Sequence, residues 1–193
     1  MSEISPPYIV AVRAAPGVPG LAAQRLGRET GWSLLSRGDR VRGRTIKPAQ
    51  TGRHPVILLA GPDGCASSEF CASAAAVFCA RAALVVFDLP LCGSRRSDKL
   101  TALALDATLP IARRLRPDVE AQVEADIAAV LALIAADPEL DPARVTFVGV
   151  GLGAELARSF ALKPDGVAQV VLSKDDAPAT SWLREVGERA TRG

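Results

Sequence analysis

The stretch Val145-Thr146-Phe147-Val148-Gly149-Val150-Gly151-Leu152-Gly153-Ala154 decides how this chain folds. Val145 to Val148 suit a strand buried on both faces, because the run is apolar and β-branched with one threonine. Three alternating glycines follow, and Leu152, Leu156 and Phe160 then recur at helical spacing. A strand that turns at glycine into a helix is the repeating unit of a parallel sheet.

Working outward, the same unit recurs. Upstream, Val56 to Ala60 is an unbroken apolar run that empties into the loop Gly61-Pro62-Asp63-Gly64. Ser67 or Ser68 caps the helix carrying Phe70, Ala74, Val77 and Phe78. Ala83 to Phe87 is the next strand, closed by Asp88-Leu89-Pro90, and residues 91–117 read as a long, partly irregular excursion. Pro117 opens the clearest helix, with Val119, Val123, Ile127, Val130, Leu131 and Ile134 on one face and Asp137-Pro138 as its stop. Downstream, Val167 to Leu172 is a fourth strand, and Ser181 to Ala190 a short amphipathic helix. Ahead of the series, Trp32 to Ser36 and Arg40 to Ile46 form a hairpin about Arg37-Gly38-Asp39. Residues 1–31 are rich in Gly, Pro and Ala and read as irregular, with Tyr8 to Val12 as their one candidate strand.

The pattern predicts an α/β fold: a mostly parallel sheet with helices on both faces, right-handed crossovers and a preceding hairpin. The predicted organisation is an irregular segment 1–31, a domain over 32–173 and a tail over 174–193. The length, 193 residues, suits one domain with a full core. With 49% hydrophobic and 23% charged residues, the chain is neither disordered nor a coiled coil. The longest run without a polar residue, Ile127 to Ala136, falls short of the ~18 residues that cross a bilayer. Met1 to Pro7 carries Glu3 and two prolines where a secretion signal has positive charge and then an apolar run, so a cytoplasmic location is expected.

Net charge is +2, and the densest basic knot, Arg113, Arg114 and Arg116, is too narrow for nucleic acid in a chain only 4% aromatic. The cysteines at 65, 71, 79 and 92 form no CxxC pair and stand with a single histidine, His54, so neither a zinc site nor any other cofactor is expected. Cys71 and Cys79 read as buried apolar groups in a helix, and Cys65 and Cys92 fall in loops.

In sheets of this kind function gathers at the C-terminal ends of the strands. There the order of motifs resembles the α/β-hydrolase superfamily, particularly its dienelactone-hydrolase and acyl-peptidase-like branch. His54 to Gly64 resembles that family's third strand and oxyanion loop. Val85-Val86-Phe87-Asp88-Leu89-Pro90-Leu91-Cys92-Gly93-Ser94 is similar to its D-x-P-G-x-G-x-S segment, and Asp141 to Gly149 to its approach to the nucleophile. The resemblance spans residues 32 to 173 and implies a shortened three-layer sandwich.

The departures bear on chemistry. The family's sharp turn reads G-x-S-x-G, and here the serine position is Gly151, which has no hydroxyl. Ala60 stands where a histidine often opens the oxyanion loop, and His54 sits at the entry end of its strand. The resemblance places acid and histidine after later strands. The reading that follows is a non-catalytic protein that binds a partner or a small acyl or aromatic ligand, with no catalytic residue and no metal. Its candidate site is the degenerate turn Gly149, Gly151, Leu152 and Gly153, the oxyanion-like loop Gly61, Pro62, Asp63 and Gly64, and the rim Asp88, Cys92, Ser94, Ser173 and Asp175. Backbone N–H groups near Gly64 and Leu152 are its candidate donors. Asp176 also falls at this rim, where paired carboxylates are able to do acid–base work.

Two alternatives stand beside it. One is an active ester hydrolase with a non-standard nucleophile, or one completed by a second subunit. The other is a dinucleotide-binding module, since Gly149-x-Gly151-x-x-Ala154 fits the G-x-G-x-x-A fingerprint with Asp175 in the ribose-binding place. In the hydrolase-like topology Val167 to Leu172 is an edge strand. Either the tail helix around Trp182, Leu183 and Val186 covers it, or a homodimer or hetero-complex forms there.

Overall fold

The computed structural model describes residues 9–13, 27–61, 66, 69–106, 108–162, 165–174 and 180–192. Seven strands form one sheet in the order β1-β2-β3-β5-β4-β6-β7. β2 (Arg28–Ser36) and β3 (Asp39–Lys47) are the expected hairpin, with β2 starting four residues earlier and β3 longer by one residue at each end. Their turn, Arg37-Gly38, has positive φ at both residues (46° and 83°), the combination whose twist suits a two-residue hairpin loop. Across the pair, the Trp32 indole N–H donates to Thr45 Oγ1 at 3.0 Å. β1 (Ile9–Arg13) pairs antiparallel with β2, so the segment expected to be irregular contributes an edge strand. A register shift between Ile9 and Ala11 breaks the alternation a sequence reading depends on.

β4 (His54–Ala60) and β5 (Ala83–Phe87) are buried at every residue, which is why their sequences do not alternate. β4 runs parallel to β5 and to β6 (Leu140–Val150), and β6 runs parallel to β7 (Gln169–Ser173). β3 joins β5 antiparallel. Successive β4 side chains point to opposite faces. Ile57 and Leu59 meet α1 (Glu69–Phe78) through Ala74 and Phe78, and α6 (Thr180–Arg192) through Leu183 and Val186. Val56 and Leu58 belong to the opposite core with Val123, Ile127 and Val130 of α3 (Pro110–Ala136). Two cores flanking one sheet give the predicted three-layer α/β architecture.

Three expectations change. The excursion over 91–117 contains a 3₁₀ turn (Gly93–Arg95), α2 (Asp98–Leu105) and the first two turns of α3, which begins at Pro110. Pro117 therefore lies inside a helix. It and Arg113, whose carbonyl loses its helical N–H partner there, are both exposed, so solvent is able to satisfy that group and the usual penalty shrinks. The single helix expected after β6 is two five-residue pieces, α4 (Leu152–Leu156) and α5 (Arg158–Leu162), parted at Ala157. Lastly, α6 packs chiefly on α1, β4 and β6, because Leu183 and Val186 find the larger apolar surface there, and of β7 only Val171 borders that core. The Ser67 or Ser68 cap and the side chain of Trp182 lie outside the described residues. Among the described residues no helix is long and apolar enough to cross a membrane.

Candidate functional site

The C-terminal ends of β4, β6 and β7 lie side by side, with Ala60 opposite Gly149, Gly149 opposite Leu172 and Val150 opposite Ser173. The three glycines after β6 serve different purposes. Gly151 has φ 53° and ψ −120°, a conformation essentially confined to glycine. Its N–H donates to the Ser173 carbonyl at 2.9 Å, and its own carbonyl accepts from Glu155 N–H at 3.1 Å. A Cβ on Gly153 would stand 2.1 Å from the Ala60 carbonyl oxygen, so that glycine lets α4 seat on β4. A Cβ on Gly149 would meet Ala154 Cα at 2.9 Å.

Packing thus accounts for Gly149, Gly153 and Ala154 without a pyrophosphate. The helix they open is only five residues long, whereas a dinucleotide fingerprint aims a full helix at its phosphates. Asp175, the ribose candidate, lies outside the described residues.

A cleft of about 610 Å³ opens at this turn. Gly151 presents bare main chain to it, Leu152, Ala154 and Leu172 form its apolar part, and Glu155, Arg158, Ser173 and Lys174 its polar part. Glu155 is drawn away toward α3: its Oε1 accepts from Arg116 Nη1 at 2.9 Å and its carbonyl from Arg116 Nη2 at 3.1 Å. Arg116 also meets Glu120 at 2.7 Å. One third of the basic knot is therefore spent tying α3 to α4.

The structure divides the predicted rim in two. Ser173 belongs to the cleft, whereas Asp88, Cys92 and Ser94 belong to a separate turn after β5. Asp88 is buried, and its Oδ2 accepts the Ser94 N–H at 2.9 Å, which makes it the brace of the 3₁₀ turn. Cys92 is buried and Ser94 exposed. A Cβ on Gly93 would fall 2.4 Å from Asp88 Oδ1, so the glycine there makes room for the carboxylate. Gly61 is buried at the end of β4. Pro62, Asp63, Gly64, Cys65 and Asp176 lie outside the described residues.

Beside this turn, sequence reading missed a charge cluster centred on the buried side chains of Arg95 and Asp126, with the exposed Asp39 at its edge. Arg95 Nη1 meets Asp126 Oδ2 at 2.5 Å, Arg95 Nη2 meets Asp39 Oδ2 at 2.5 Å, and Gln122 Nε2 donates to Asp126 Oδ1 at 2.8 Å. Burial pushes the Asp126 carboxyl above its ordinary value, against the opposing pull of Arg95 and of hydrogen bonds from Ser36 and Gln122. A signal existed: Asp126 falls three residues after Val123 and next to Ile127, on the apolar face of α3.

His54 is buried at the entry end of β4, where its Nε2–H donates to the Gln50 carbonyl at 3.1 Å. Six residues of strand separate it from Ala60, roughly 20 Å. The sole imidazole of the sequence is thus remote from the cleft. Cys71 and Cys79 behave as read: burial raises their thiols to about 11 and about 12, so both stay protonated at neutral pH. No group of His, Cys, Asp and Glu among the described residues is arranged to hold a metal ion.

The chain matches no protein-family model, and no curated protein matches it. Solved structures do share its fold. A cold-adapted esterase from an Arctic intertidal metagenomic library is similar with a TM-score of 0.60 and 24% identity, over 78% of this chain and 62% of that one. Acetyl xylan esterase 1 from Thermoanaerobacterium sp. JW/SL YS485 is similar at TM-score 0.57 and 19% identity, over 89% and 55% of the two chains. An acetyl xylan esterase from Paenibacillus sp. R4 is similar at TM-score 0.54 and 18% identity, over 79% and 49%. The chain therefore spans at most about three-fifths of the length of these neighbours.

The fold is α/β-hydrolase-like. The expectation of a non-catalytic protein is corrected at this point: the neighbours are esterases, and nothing in the likeness favours a pseudoenzyme. The physical reason is local. Gly151 removes one position for a hydroxyl but leaves the cleft in place, and Ser173 stands on its wall.

Proposed function

We propose that this chain is the cleft-bearing part of an acyl-ester hydrolase that attacks from a position other than the turn, with Ser173 as the nucleophile. The observation that carries this reading is the 2.9 Å bond from Gly151 N–H to the Ser173 carbonyl, which sets a hydroxyl-bearing residue beside the turn on the wall of the same cleft. Of Cys92, Ser94 and Ser173, it is the one that lines that cleft. The main-chain N–H of Leu152, next to Gly151, is the candidate donor to the oxyanion that forms when the ester carbonyl is attacked.

A serine hydroxyl needs a base, and His54 is too distant to serve. Our reading places the proton acceptor on the outer side of β7, brought there by a second polypeptide in a homodimer or a hetero-complex. β7 suits such pairing. It is the last strand of the sheet, partly exposed, and carries no proline or charge from Gln169 to Ser173.

The test is hydrolysis of p-nitrophenyl acetate by the natively purified assembly, with residues labelled by a fluorophosphonate and mapped by mass spectrometry. Turnover that vanishes in Ser173→Ala, with the label on Ser173, is expected. Absence of turnover, or turnover unchanged in Ser173→Ala, refutes the reading.

A further inference from the structure

Charge is divided unevenly along the chain. Residues 1–53 hold nine Lys and Arg against three Asp and Glu, whereas residues 54–193 hold fourteen against eighteen. Most of the positive surplus sits on the β2–β3 hairpin. Arg28 and Lys47, at its base, are matched by Asp137 and Glu139, and Arg44 by Glu29. Toward the tip the matching stops: Arg37, Arg40 and Arg42 are exposed, and none forms an ion pair with a described residue. Asp39, the acid among them, is held by Arg95. β1 and the segment leading to β2, residues 9–27, contain no acidic residue. Glu3 and Asp63 lie outside the described residues, and both together would still leave the three arginines in excess.

Register puts these groups on one surface. Arg40 stands opposite Leu35, Arg42 opposite Ser33 and Arg44 opposite Gly31, so three arginines alternate along one face of β3, about 7 Å apart. The other face of the hairpin, with Trp32, Leu34 and Val41, is buried in the core. On the arginine face the core built by α1 and α6 reaches Ile46; Arg44 is half-buried, and Arg42 and Arg40 are open. Leu35, 39% exposed, stands among them. A basic face that also exposes an aliphatic side chain at its tip matches a lipid surface, whose phosphates lie above an apolar layer. A single-stranded nucleic acid would call for aromatic rings to stack on, and an acidic peptide would leave the leucine idle.

We propose that this face of the hairpin docks on anionic phospholipid membranes, with Arg37, Arg40 and Arg42 on headgroup phosphates and Leu35 in the apolar boundary beneath them. The guanidinium fork suits phosphate oxygens, and each arginine near such a surface strengthens binding about fivefold. Docking through so few side chains is peripheral and reversible. It leaves the cleft after β6 free, because β5 and β4 stand between β3 and β6. It does not depend on the hydrolase reading.

The test is co-sedimentation of the natively purified protein with vesicles of phosphatidylcholine alone and of phosphatidylcholine mixed with phosphatidylserine. Binding to the anionic vesicles, roughly tenfold or more over the neutral ones at about 50 mM salt and lost near about 300 mM, is expected. Arg40→Gln and Arg42→Gln should each weaken it about fivefold and reduce its dependence on salt. Leu35→Ser should weaken it about threefold to tenfold with the salt dependence unchanged. Arg114→Gln, at an exposed position of α3, should leave binding unaltered. Equal binding to both vesicles, binding to neither, indifference to Leu35→Ser, or a loss in Arg114→Gln as large as in Arg42→Gln overturns the proposal. So does tighter binding of oligothymidylate or polyglutamate than of the anionic vesicles, which would make the face a nucleic-acid or protein contact.

Discussion

Gly153→Ala tests whether the turn after β6 is held by close backbone packing. The added Cβ would lie 2.1 Å from the Ala60 carbonyl oxygen, 2.6 Å from its carbon and 3.1 Å from the Gly61 nitrogen. Carbon and oxygen in ordinary contact stay more than 3 Å apart, so an overlap of over 1 Å must be relieved. All three obstructing atoms are backbone within or next to a strand that is buried at every residue, and none is able to swing aside. Helix α4 must instead withdraw from β4, loosening Ala154 and Leu156. Overpacking of this kind usually costs about 1–3 kcal/mol, and against immovable backbone about 2–4 kcal/mol is expected here. At about 2–4 °C per kcal/mol for a domain of this size, Tm should fall by roughly 4–16 °C. Gly38→Ala is the control: a Cβ there meets nothing within 4 Å, and only the positive φ of 83° is penalised, at about 1 kcal/mol. Thermal unfolding followed by far-UV circular dichroism measures both. A Tm for Gly153→Ala within 2 °C of the parent, or a larger loss in Gly38→Ala, refutes the argument.

Two further predictions concern charge. Arg95→Met removes the guanidinium from Asp126, whose side chain is 0% exposed, and leaves a carboxylate buried with only Gln122 and Ser36 about it; a loss of about 3–5 kcal/mol in urea unfolding at pH 7 is expected. Because burial raises the folded-state value of Asp126 above the unfolded one, this group's contribution is most favourable below its ordinary value of 3.8 and is lost as pH rises through the folded value. The variant should therefore recover part of its deficit on mild acidification, and a deficit independent of pH would refute the assignment. Glu139 titrates in the opposite sense. Hydrogen bonds from Arg28 and Lys47 lower it from 4.5 to about 2, so the stability it lends is present above 4.5 and lost as pH falls through about 2. Glu139→Gln should flatten the pH dependence of Tm in that window, and an unchanged acid profile would show that the contacts to Arg28 and Lys47 contribute nothing to it.

Much of the fold was legible because burial leaves a periodic trace. Val56 to Ala60 and Ala83 to Phe87 read as two-sided strands and are buried at every residue, and the apolar face of α3 from Val119 to Ile134 is the one that packs on the sheet. The hairpin was legible from Arg37-Gly38, a turn that needs positive φ. The start of α3 was not: Pro117 reads as a helix opener on local grounds, and only its exposure in the folded chain makes it tolerable within one. The site followed the same division. Gly151 was recognisable as a turn without a hydroxyl, since that depends on residue identity alone.

Sequence by itself determined the layering, the strand-to-helix turn and the lack of an imidazole near it, because these follow from side-chain type and spacing along the chain. Only the tertiary structure decided that Ser173 and Gly151 share one cleft, that Asp88 braces a different turn, that Arg95 and Asp126 meet in the interior, and that α6 packs chiefly on α1 and β4. Each is a contact between segments far apart in sequence. It is chosen by whichever surface buries most apolar area and satisfies most charge, a competition that no local spacing records.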